Sequence, residues 1–173
     1  MQQSYPTYFK LTWSYIMKTS SVKEQINSGP ICKSLAQVLA DTYILYLKTQ
    51  NFHWNVVDPR FYSLHKMLED QYEELAEAVD EIAERIRMLN GKSPATMKEF
   101  LELGSLSEAE GDLSGDEMLQ MLIDDHASLI KTIRKKIEES QTLQDEGTAD
   151  MFIQRLRAHE KNHWMLLSHF EEA

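Results

Sequence analysis

Cysteine, glycine and proline are all scarce in this chain of 173 residues. The single cysteine, Cys32, excludes an intrachain disulfide framework and a zinc finger built on cysteines. Six glycines and four prolines are too few for an all-β chain with many tight turns. No segment approaches the roughly 18 uncharged apolar residues that a membrane span needs, and no apolar run of signal-peptide length is visible near residue 1. We therefore expect a cytoplasmic protein.

Basic residues are also fewer than acidic ones. Lysine and arginine together number 18 against 28 aspartates and glutamates, which gives a net charge of −10. Residues 1–34 nonetheless carry a local charge of +3, so the remainder of the chain carries −13. The charged residues of this first segment are Lys10, Lys18, Lys23, Glu24 and Lys33. The acidic remainder disfavours DNA binding, which depends on neutralising phosphates, and attracts cations instead.

Apolar residues recur at the three- and four-residue steps of an amphipathic helix in four long segments. Helix one is predicted from about Lys33 to Asn55. Asp58-Pro59 separates it from helix two because the residue before a proline avoids the α region. Helix two is predicted from about Arg60 to Leu89, with Asn90-Gly91 as its C-terminal cap.

The second half of the chain contributes two more long helices. Helix three is predicted to open after Ser114, because Glu117 completes the spacing of a capping box. Helix four is predicted from Ala149 to about Glu171, after a break at Gly147-Thr148. A short helical piece is predicted at Met97–Leu103, inside the long linker between helices two and three. The sequence therefore predicts an all-α four-helix bundle.

The bundle is predicted to span residues 32–173, and residues 1–31 are predicted to form a flexible N-terminal tail. The change from an aromatic start to the polar segment after Met17 is abrupt. We expect either that Met17 is the translated start or that residues 1–16 are disordered.

Histidines and carboxylates cluster around the predicted turn between helices one and two. His53 ends helix one, and His65 lies in the first turns of helix two, so a short antiparallel turn brings them together. Glu69 follows His65 by four residues and shares its helix face. Asp80 and Glu84 repeat the four-residue spacing farther along the same stripe. Mixed nitrogen and oxygen ligands of this kind suit iron, manganese or zinc.

Each of these residues has a plainer interpretation when taken alone. An isolated histidine at a helix interface, such as His126, His159 or His169, is usually a hydrogen-bonded structural group. Carboxylates on a helix usually form a solvated face, which is the default for three glutamates of helix two, namely Glu73, Glu74 and Glu77. A purely structural helical bundle is therefore one of the hypotheses to be tested.

The length of helix two limits how the candidate ligands can combine. His65 and Glu84 are 19 residues apart, or about 28 Å along a helix, whereas a metal ion binds its ligands at about 2 Å. The histidine half and the Asp80/Glu84 half cannot bind one ion within one chain. Either the two halves are unrelated, or two chains meet so that one chain's histidines face the other's carboxylates.

A rival intrachain metal site would use Glu160 and His163, which form an E-x-x-H motif in helix four. Di-iron helical bundles usually need two such motifs and two further glutamates. Only one motif is present, so structural packing of His163 is the favoured interpretation.

The segments NFHWN, SLHKMLEDQYEEL and DEIAERI resemble the Dps family of small ferritin-like proteins, and the resemblance covers about residues 33–173. It implies a ferritin-like four-helix bundle. It also implies a ferroxidase centre shared across a two-fold axis between subunits, with His53, His65, Glu69, Asp80 and Glu84 as the iron ligands. Glu69 departs from the aspartate found in many members.

The resemblance further implies Fe(II) oxidation with hydrogen peroxide as the oxidant and storage of ferric iron in a hollow dodecameric shell. Trp54 and Trp164 resemble the family's tryptophans near the site, where they could intercept oxidising equivalents or serve as large core or interface residues. Three acids, Asp145, Glu146 and Asp150, are candidates for an iron entry pore. Acids in a first helical turn are equally common for dipole reasons.

The family name also raises an alternative function, a nucleoid protein that binds and condenses DNA. Only the three tail lysines Lys10, Lys18 and Lys23 support it, and the acidic body opposes it. The sequence therefore predicts DNA binding that is weak or absent.

Overall fold

The computed structural model describes residues 29–109 and 111–170. Over these residues the chain forms five helices and no strand, namely α1 (Pro30–Asn55), α2 (Phe61–Met88), α3 (Met97–Leu103), α4 (Gly115–Thr142) and α5 (Glu146–Leu167). α1 packs along α2, α4 packs along α5, and α1 also contacts α4. The predicted all-α bundle, with its short extra helix in the long linker, is confirmed.

Two further sequence expectations concern a membrane-spanning helix and the N-terminal residues. Among the described helices, none is long and apolar enough to cross a membrane. The expectation about Met17 and residues 1–16, and most of the predicted tail, lie outside the described residues.

The core of the bundle is aliphatic, with two phenylalanines as its largest buried side chains, Phe52 of α1 and Phe152 of α5. Leucines and isoleucines at three- and four-residue steps supply the rest because these steps keep one face of each helix toward its neighbours. Fully buried aliphatic side chains of α2 and α4 include Leu64, Leu68, Leu75, Ile82, Ile86, Leu119, Leu122, Leu129 and Ile133.

Two predicted helix starts differ from the structure. α1 begins at Pro30, so the helix includes the last two residues of the predicted tail. Proline suits this position because the first turn needs no N–H donor from it. α5 begins at Glu146 because the Asp145 side chain caps it by accepting a hydrogen bond from Thr148 N at 3.1 Å. The break predicted at Gly147-Thr148 was wrong. The chain turns at Gln144 instead, with φ of 58°.

Three predicted helix boundaries, both of α2 and the C-terminal one of α5, include residues that the structure places outside the helix. Arg60 and Leu89 are the caps of α2 rather than members of it. α5 ends at Leu167, and residues 168–170 form a turn.

The C-terminus of α2 closes at Asn90-Gly91, as predicted. Asn90 takes the left-handed conformation with φ of 63°, and Gly91 N donates to Ile86 O at 2.9 Å. Glycine is required at the second position because a Cβ on Gly91 would lie 2.8 Å from Ile86 Cγ2. The two residues therefore form a Schellman-type cap.

A capping box begins each of the next two helices, α3 and α4. Thr96 and Glu99 cap α3, and Ser114 and Glu117 cap α4, with each side chain bonded to the other residue's backbone N–H. The α4 start is the one predicted from the sequence.

The linker after α3 is tied to α1 by one buried carboxylate. Asp41 has no exposed surface and accepts hydrogen bonds from Ser105 N at 2.5 Å, Leu106 N at 3.0 Å and Ser105 Oγ at 3.1 Å. Burial raises the pKa of Asp41, whereas the bonds from Ser105 and Leu106 lower it. This contact holds α3 against α1.

Candidate metal centre

The turn between α1 and α2 is closed by a compact network of charged groups. The Arg60 guanidinium donates to both oxygens of Asp58, at 2.7 and 2.6 Å, and reaches Asp116 at the start of α4 at 2.5 Å. These bonds lower the pKa of Asp58 to about 2, with the Arg60 side chain as the largest cause. The network fixes the short connection that sets His53 opposite His65.

His53 and His65 are locked together by reciprocal contacts across this turn. His53 Nδ1 lies 2.8 Å from His65 O, and His65 Nδ1 lies 2.9 Å from His53 O. The two imidazoles stack with centroids 3.8 Å apart and planes 17° from parallel. The predicted meeting of these two histidines is therefore observed.

The reciprocal bonds determine the tautomer of both rings. A carbonyl oxygen only accepts hydrogen bonds, so each Nδ1 must carry the proton. Each Nε2 of a neutral ring then holds a free lone pair, which is the form that binds metal ions. Such a bond from the non-ligating nitrogen to a carbonyl also fixes the ring orientation, as in established metal sites. The geometry presents two nitrogen ligands side by side.

Aromatic side chains hold the two imidazoles from either side. The Phe61 ring stacks on His65 with centroids 4.9 Å apart, and Tyr72 meets His53 edge-on at 5.1 Å. His53 is buried and His65 half-buried, so the pair lies at the edge of the bundle core. Sequence reasoning did not identify Phe61 or Tyr72 as part of the site. The spacing of Phe61, four residues before His65, is the signal that could have found it.

Glu69 lies one turn after His65 and is engaged by a lysine. Lys66 Nζ lies 2.7 Å from Glu69 Oε2 and 3.0 Å from Asp70 Oδ1. The hydrogen bond from Lys66 is the largest cause that lowers the pKa of Glu69, and the charge of Lys66 acts in the same direction. Glu69 is therefore ionised at neutral pH, as a metal ligand must be.

The structure keeps Asp80 and Glu84 apart from the histidines. Four of the five candidate ligands lie on α2, and only His53 lies on α1. Because α2 is uninterrupted, His65 and Glu84 are separated by about 28 Å along the helix, as the sequence predicted. Both carboxylate residues are exposed. Within the described residues, no three side chains of His, Cys, Asp or Glu come together as a metal-binding group.

The three acids at the start of α5 have different environments. Asp145 is half-buried, pairs with Arg85 Nη2 at 2.7 Å and caps the helix through Thr148. Asp150 is exposed and lines a surface depression together with Glu84. Glu146 is exposed in the first turn of the helix. The geometry thus gives Asp145 a structural role and leaves two acids accessible.

The rival intrachain motif does not form a cluster. Glu160 faces Arg134, with Arg134 Nη2 and Glu160 Oε1 2.8 Å apart. His163 is half-buried on the same helix.

Two other histidines form a pair that sequence reasoning treated separately. His126 of α4 and His159 of α5 have no exposed surface, and their Nδ1 atoms lie 3.0 Å apart. Burial lowers the pKa of His126 to about 3 and also lowers that of His159. The pair is therefore neutral and lies inside the bundle.

Trp54 and Trp164 are both exposed in the single chain. Trp54 follows His53 at the end of α1, and Trp164 lies near the end of α5; each is 65% exposed. Of the two structural roles considered for them, membership of the subunit core is excluded.

Comparison with known proteins agrees with this fold. Residues 32–173 match the model of a ferritin-like domain. The chain is 44% identical over 139 residues to an uncharacterized low temperature-induced protein of Nostoc sp., with 79% of this chain and 78% of that protein covered. It is 38% identical to DNA protection during starvation protein 2 of Bacillus anthracis, with coverage of 79% and 93%.

A solved structure shows the same likeness in three dimensions. The crystal structure of Dps from Staphylococcus aureus matches with a TM-score of 0.82 at 34% identity and covers 85% of this chain and 99% of that chain. The fold is that of the ferritin-like proteins. Within them, this chain belongs to the Dps family of miniferritins.

Proposed function

We propose that this protein is a ferroxidase that oxidises Fe(II) with hydrogen peroxide and stores the ferric product inside a dodecameric shell. One observation carries the proposal. His53 and His65 are locked in the tautomer that leaves both Nε2 lone pairs free, beside the ionised carboxylate of Glu69. This donor set fits iron. Membership of the ferritin-like family supports iron as the substrate.

The site is proposed to be completed by a second subunit. Asp80 and Glu84 are accessible on α2 but about 22 and 28 Å along the helix from His65. A two-fold contact between copies would place one chain's carboxylates over the other chain's histidines, and its symmetry would create two identical sites. Five ligands from two chains would then hold the Fe(II) substrate.

The stoichiometry of the reaction explains why two Fe(II) ions are needed. Peroxide accepts two electrons and two protons and forms two molecules of water, and each Fe(II) supplies one electron. Two ions held beside one peroxide therefore complete the reduction without releasing a hydroxyl radical. The chain's own contribution is to hold imidazole nitrogens and carboxylate oxygens where the ions bind.

Lys66 is the group that the incoming ion must displace. Its ammonium lies 2.7 Å from Glu69 Oε2. A divalent cation binds the same carboxylate more strongly than a partly exposed ammonium does, because surface ion pairs are weak. Lys66 is therefore proposed to hold the Glu69 carboxylate until Fe(II) arrives and to compete with the ion for it.

DNA binding is proposed to be weak or absent. The name of the Bacillus anthracis relative refers to DNA protection. Removal of Fe(II) and peroxide protects DNA without contact, because it removes the reactants that form hydroxyl radicals. The charge of −13 beyond residue 34 opposes contact with phosphates.

The proposal is tested by adding Fe(II) and hydrogen peroxide to the assembled protein and following the ultraviolet absorbance of ferric iron. We expect rapid oxidation that is lost in the double variant His53→Ala, His65→Ala. The matched control is His169→Ala, which removes a half-buried histidine outside the pair. Equal rates in all three proteins would reject the proposal in favour of a structural bundle.

A further inference from the structure

The side chain of Arg60 joins three parts of the chain beside the candidate metal centre. Its Nε and Nη2 atoms donate to the two carboxylate oxygens of Asp58, in the α1–α2 turn, at 2.7 and 2.6 Å. Nη2 also donates to Asp116 Oδ1, at the start of α4, at 2.5 Å, and Nη1 donates to the His169 carbonyl oxygen, after α5, at 3.5 Å. We call Asp58, Arg60 and Asp116 the arginine clamp.

The helix α2 begins without the kind of cap that the next two helices have. Arg60 precedes its first residue and makes no capping bond through its side chain, and no acidic residue lies in the first turn. Asp58 supplies the missing contacts, because its Oδ1 accepts from Arg60 N at 2.7 Å and its main-chain oxygen accepts from Phe61 N at 2.9 Å. Since an uncapped helix end frays, the first turn of α2 depends on where Asp58 is held.

Glycine at position 115 allows Asp58 to lie against the start of α4. A Cβ on Gly115 would lie 2.5 Å from Asp58 Oδ2 and 3.1 Å from Asp58 Cβ, so a larger residue would displace the carboxylate. Only 8% of the Asp58 side chain is exposed, against 64% for Asp116. A bidentate arginine–carboxylate pair that is shielded from water is strong, whereas an exposed ion pair contributes little. The pair of Arg60 with Asp58 is therefore the main contact of the arginine clamp, and Gly115 permits it.

The arginine clamp acts on the turn of α2 that leads to His65. Phe61 follows Arg60 directly and stacks on the His65 ring, with centroids 4.9 Å apart. His65 lies one turn farther along α2, and its Nδ1 donates to His53 O across the α1–α2 turn at 2.9 Å. A shift at the start of α2 would therefore move Phe61 and His65 together, relative to His53.

We propose that Arg60 and Gly115 are positioning residues of the metal centre. The arginine clamp holds the start of α2 in the position at which His53 and His65 bind each other's carbonyl oxygen and present both Nε2 atoms to metal ions. Arg60 and Gly115 are not ligands, and they act through the two histidines. The inference rests on the proposed function, since it takes these histidines as ligands. It makes metal affinity depend on α4, a helix that supplies no ligand to the proposed site.

The first test is Gly115→Ala, which removes no charge and places a residue of high helix propensity in the first position of α4. The new Cβ should displace the Asp58 carboxylate, so titration calorimetry with Zn(II) on the assembled protein should show an affinity lower by about 10-fold or more, as for other groups that orient metal ligands. In the metal-free protein, main-chain hydrogen exchange over residues 56–66, read by mass spectrometry, should become faster. The matched control is Gly104→Ala, where a new Cβ would lie 2.6 Å from Ile44 Cδ1. It disturbs packing against α1 away from the histidines and should lower stability without changing zinc affinity.

Arg60→Lys is an independent variant that keeps the positive charge but loses the two-pronged geometry of the guanidinium. We expect zinc affinity to fall, and the Fe(II) concentration at half-maximal oxidation to rise more than the maximal rate falls, because the defect lies in binding. Arg134→Lys is its control, since Arg134 pairs with Glu160 between α4 and α5. Unchanged zinc affinity in Gly115→Ala and Arg60→Lys, or an equal loss in Gly104→Ala, would overturn the positioning role and leave the ferroxidase intact. An unaltered protein that neither binds zinc nor oxidises Fe(II) would overturn both proposals.

Discussion

His53 and His65 each hold the other's main-chain carbonyl oxygen through Nδ1, at 2.8 and 2.9 Å, with their rings stacked 3.8 Å apart. Two helices are thus joined at their turn by the same contacts that set the tautomer of both imidazoles. The structural role and the proposed ligand role of these histidines therefore depend on one arrangement. Loss of either ring should disturb the other. The histidine half of the site is therefore best tested as a unit, against the half that Asp80 and Glu84 form.

We expect two inactive variants to restore each other if the site is shared between chains. His65→Ala destroys the histidine half, and the double change Asp80→Ala, Glu84→Ala destroys the carboxylate half. Each alone should form shells that oxidise Fe(II) poorly. After the two are unfolded and refolded together, about a quarter of the sites should receive two intact halves, by the pairing logic of an isologous contact.

The measurement is peroxide-dependent Fe(II) oxidation by shells that mass spectrometry shows to be mixed. A site within one chain cannot recover, because every chain carries one lesion. Failure of mixed shells to regain activity would therefore reject the shared site, even if the unaltered protein is a ferroxidase.

We expect Lys66→Gln to strengthen metal binding. The ammonium of Lys66 competes with a cation for Glu69, and its removal eliminates the ion pair that must be broken. Titration calorimetry with Zn(II), a redox-inert probe, should show tighter binding than in the unaltered protein. Lys98→Gln is the matched control, because Lys98 is a surface lysine paired with Glu102 on α3. Weaker binding in Lys66→Gln would mean that the lysine orients Glu69 for the metal.

We expect Asp41→Asn to destabilise the chain at the junction of α1 and the linker. The amide keeps the shape of the carboxyl group but replaces one acceptor oxygen with a donor, which opposes the N–H and O–H donors of Ser105 and Leu106. The expected loss is about 1–3 kcal/mol in the free energy of unfolding. Urea unfolding would measure it, with Ser107→Ala as an exposed control in the same linker. Equal stability of both variants would show that the linker is held by its apolar contacts alone.

We expect the buried histidine pair to make the bundle sensitive to acid. The pKa of His126 is lowered to about 3 in the folded chain against 6.5 when unfolded, so the unfolded state binds more protons between these values. The stabilising contribution is therefore complete above pH 6.5 and is lost as the pH falls toward about 3.

The double variant His126→Leu, His159→Leu should flatten this dependence, because two apolar side chains replace the paired rings without leaving either unpaired. Urea unfolding at a series of pH values would measure the slope. His169→Leu serves for comparison and should flatten the slope less, because His169 is only half-buried, although burial lowers its pKa as well. A slope that stays the same in the double variant would assign the acid sensitivity to other groups.

We expect any DNA binding to weaken steeply between low and physiological salt. The lysines of the predicted tail are few and the remainder of the chain is acidic, so contact depends on a small number of phosphates. Gel shifts over a series of salt concentrations would measure it. Tight retention of plasmid at physiological salt, at neutral pH and without a divalent cation, would contradict this expectation.

The sequence by itself determined the helices and which residues could be ligands. The period of apolar residues in α2, the capping box at Ser114 and the cap at Asn90-Gly91 all act over a few neighbouring residues, so the chain specifies them locally. The spacing of His65, Glu69, Asp80 and Glu84 follows from one helix in the same way. Local signals failed at the start of α5, where Gly147 suggested a break and the cap from Asp145 prevailed.

Only the tertiary structure decided how the side chains of different helices meet. The tautomer of His53 and His65 depends on carbonyl groups 12 residues away, and the pairing of His126 with His159 joins positions 33 residues apart. The edge-on contact between the Tyr46 and Tyr72 rings likewise requires α1 and α2 to pack in one register. These contacts arise from the packing of whole helices, and a local pattern in the sequence cannot encode the distance between two side chains that packing brings together.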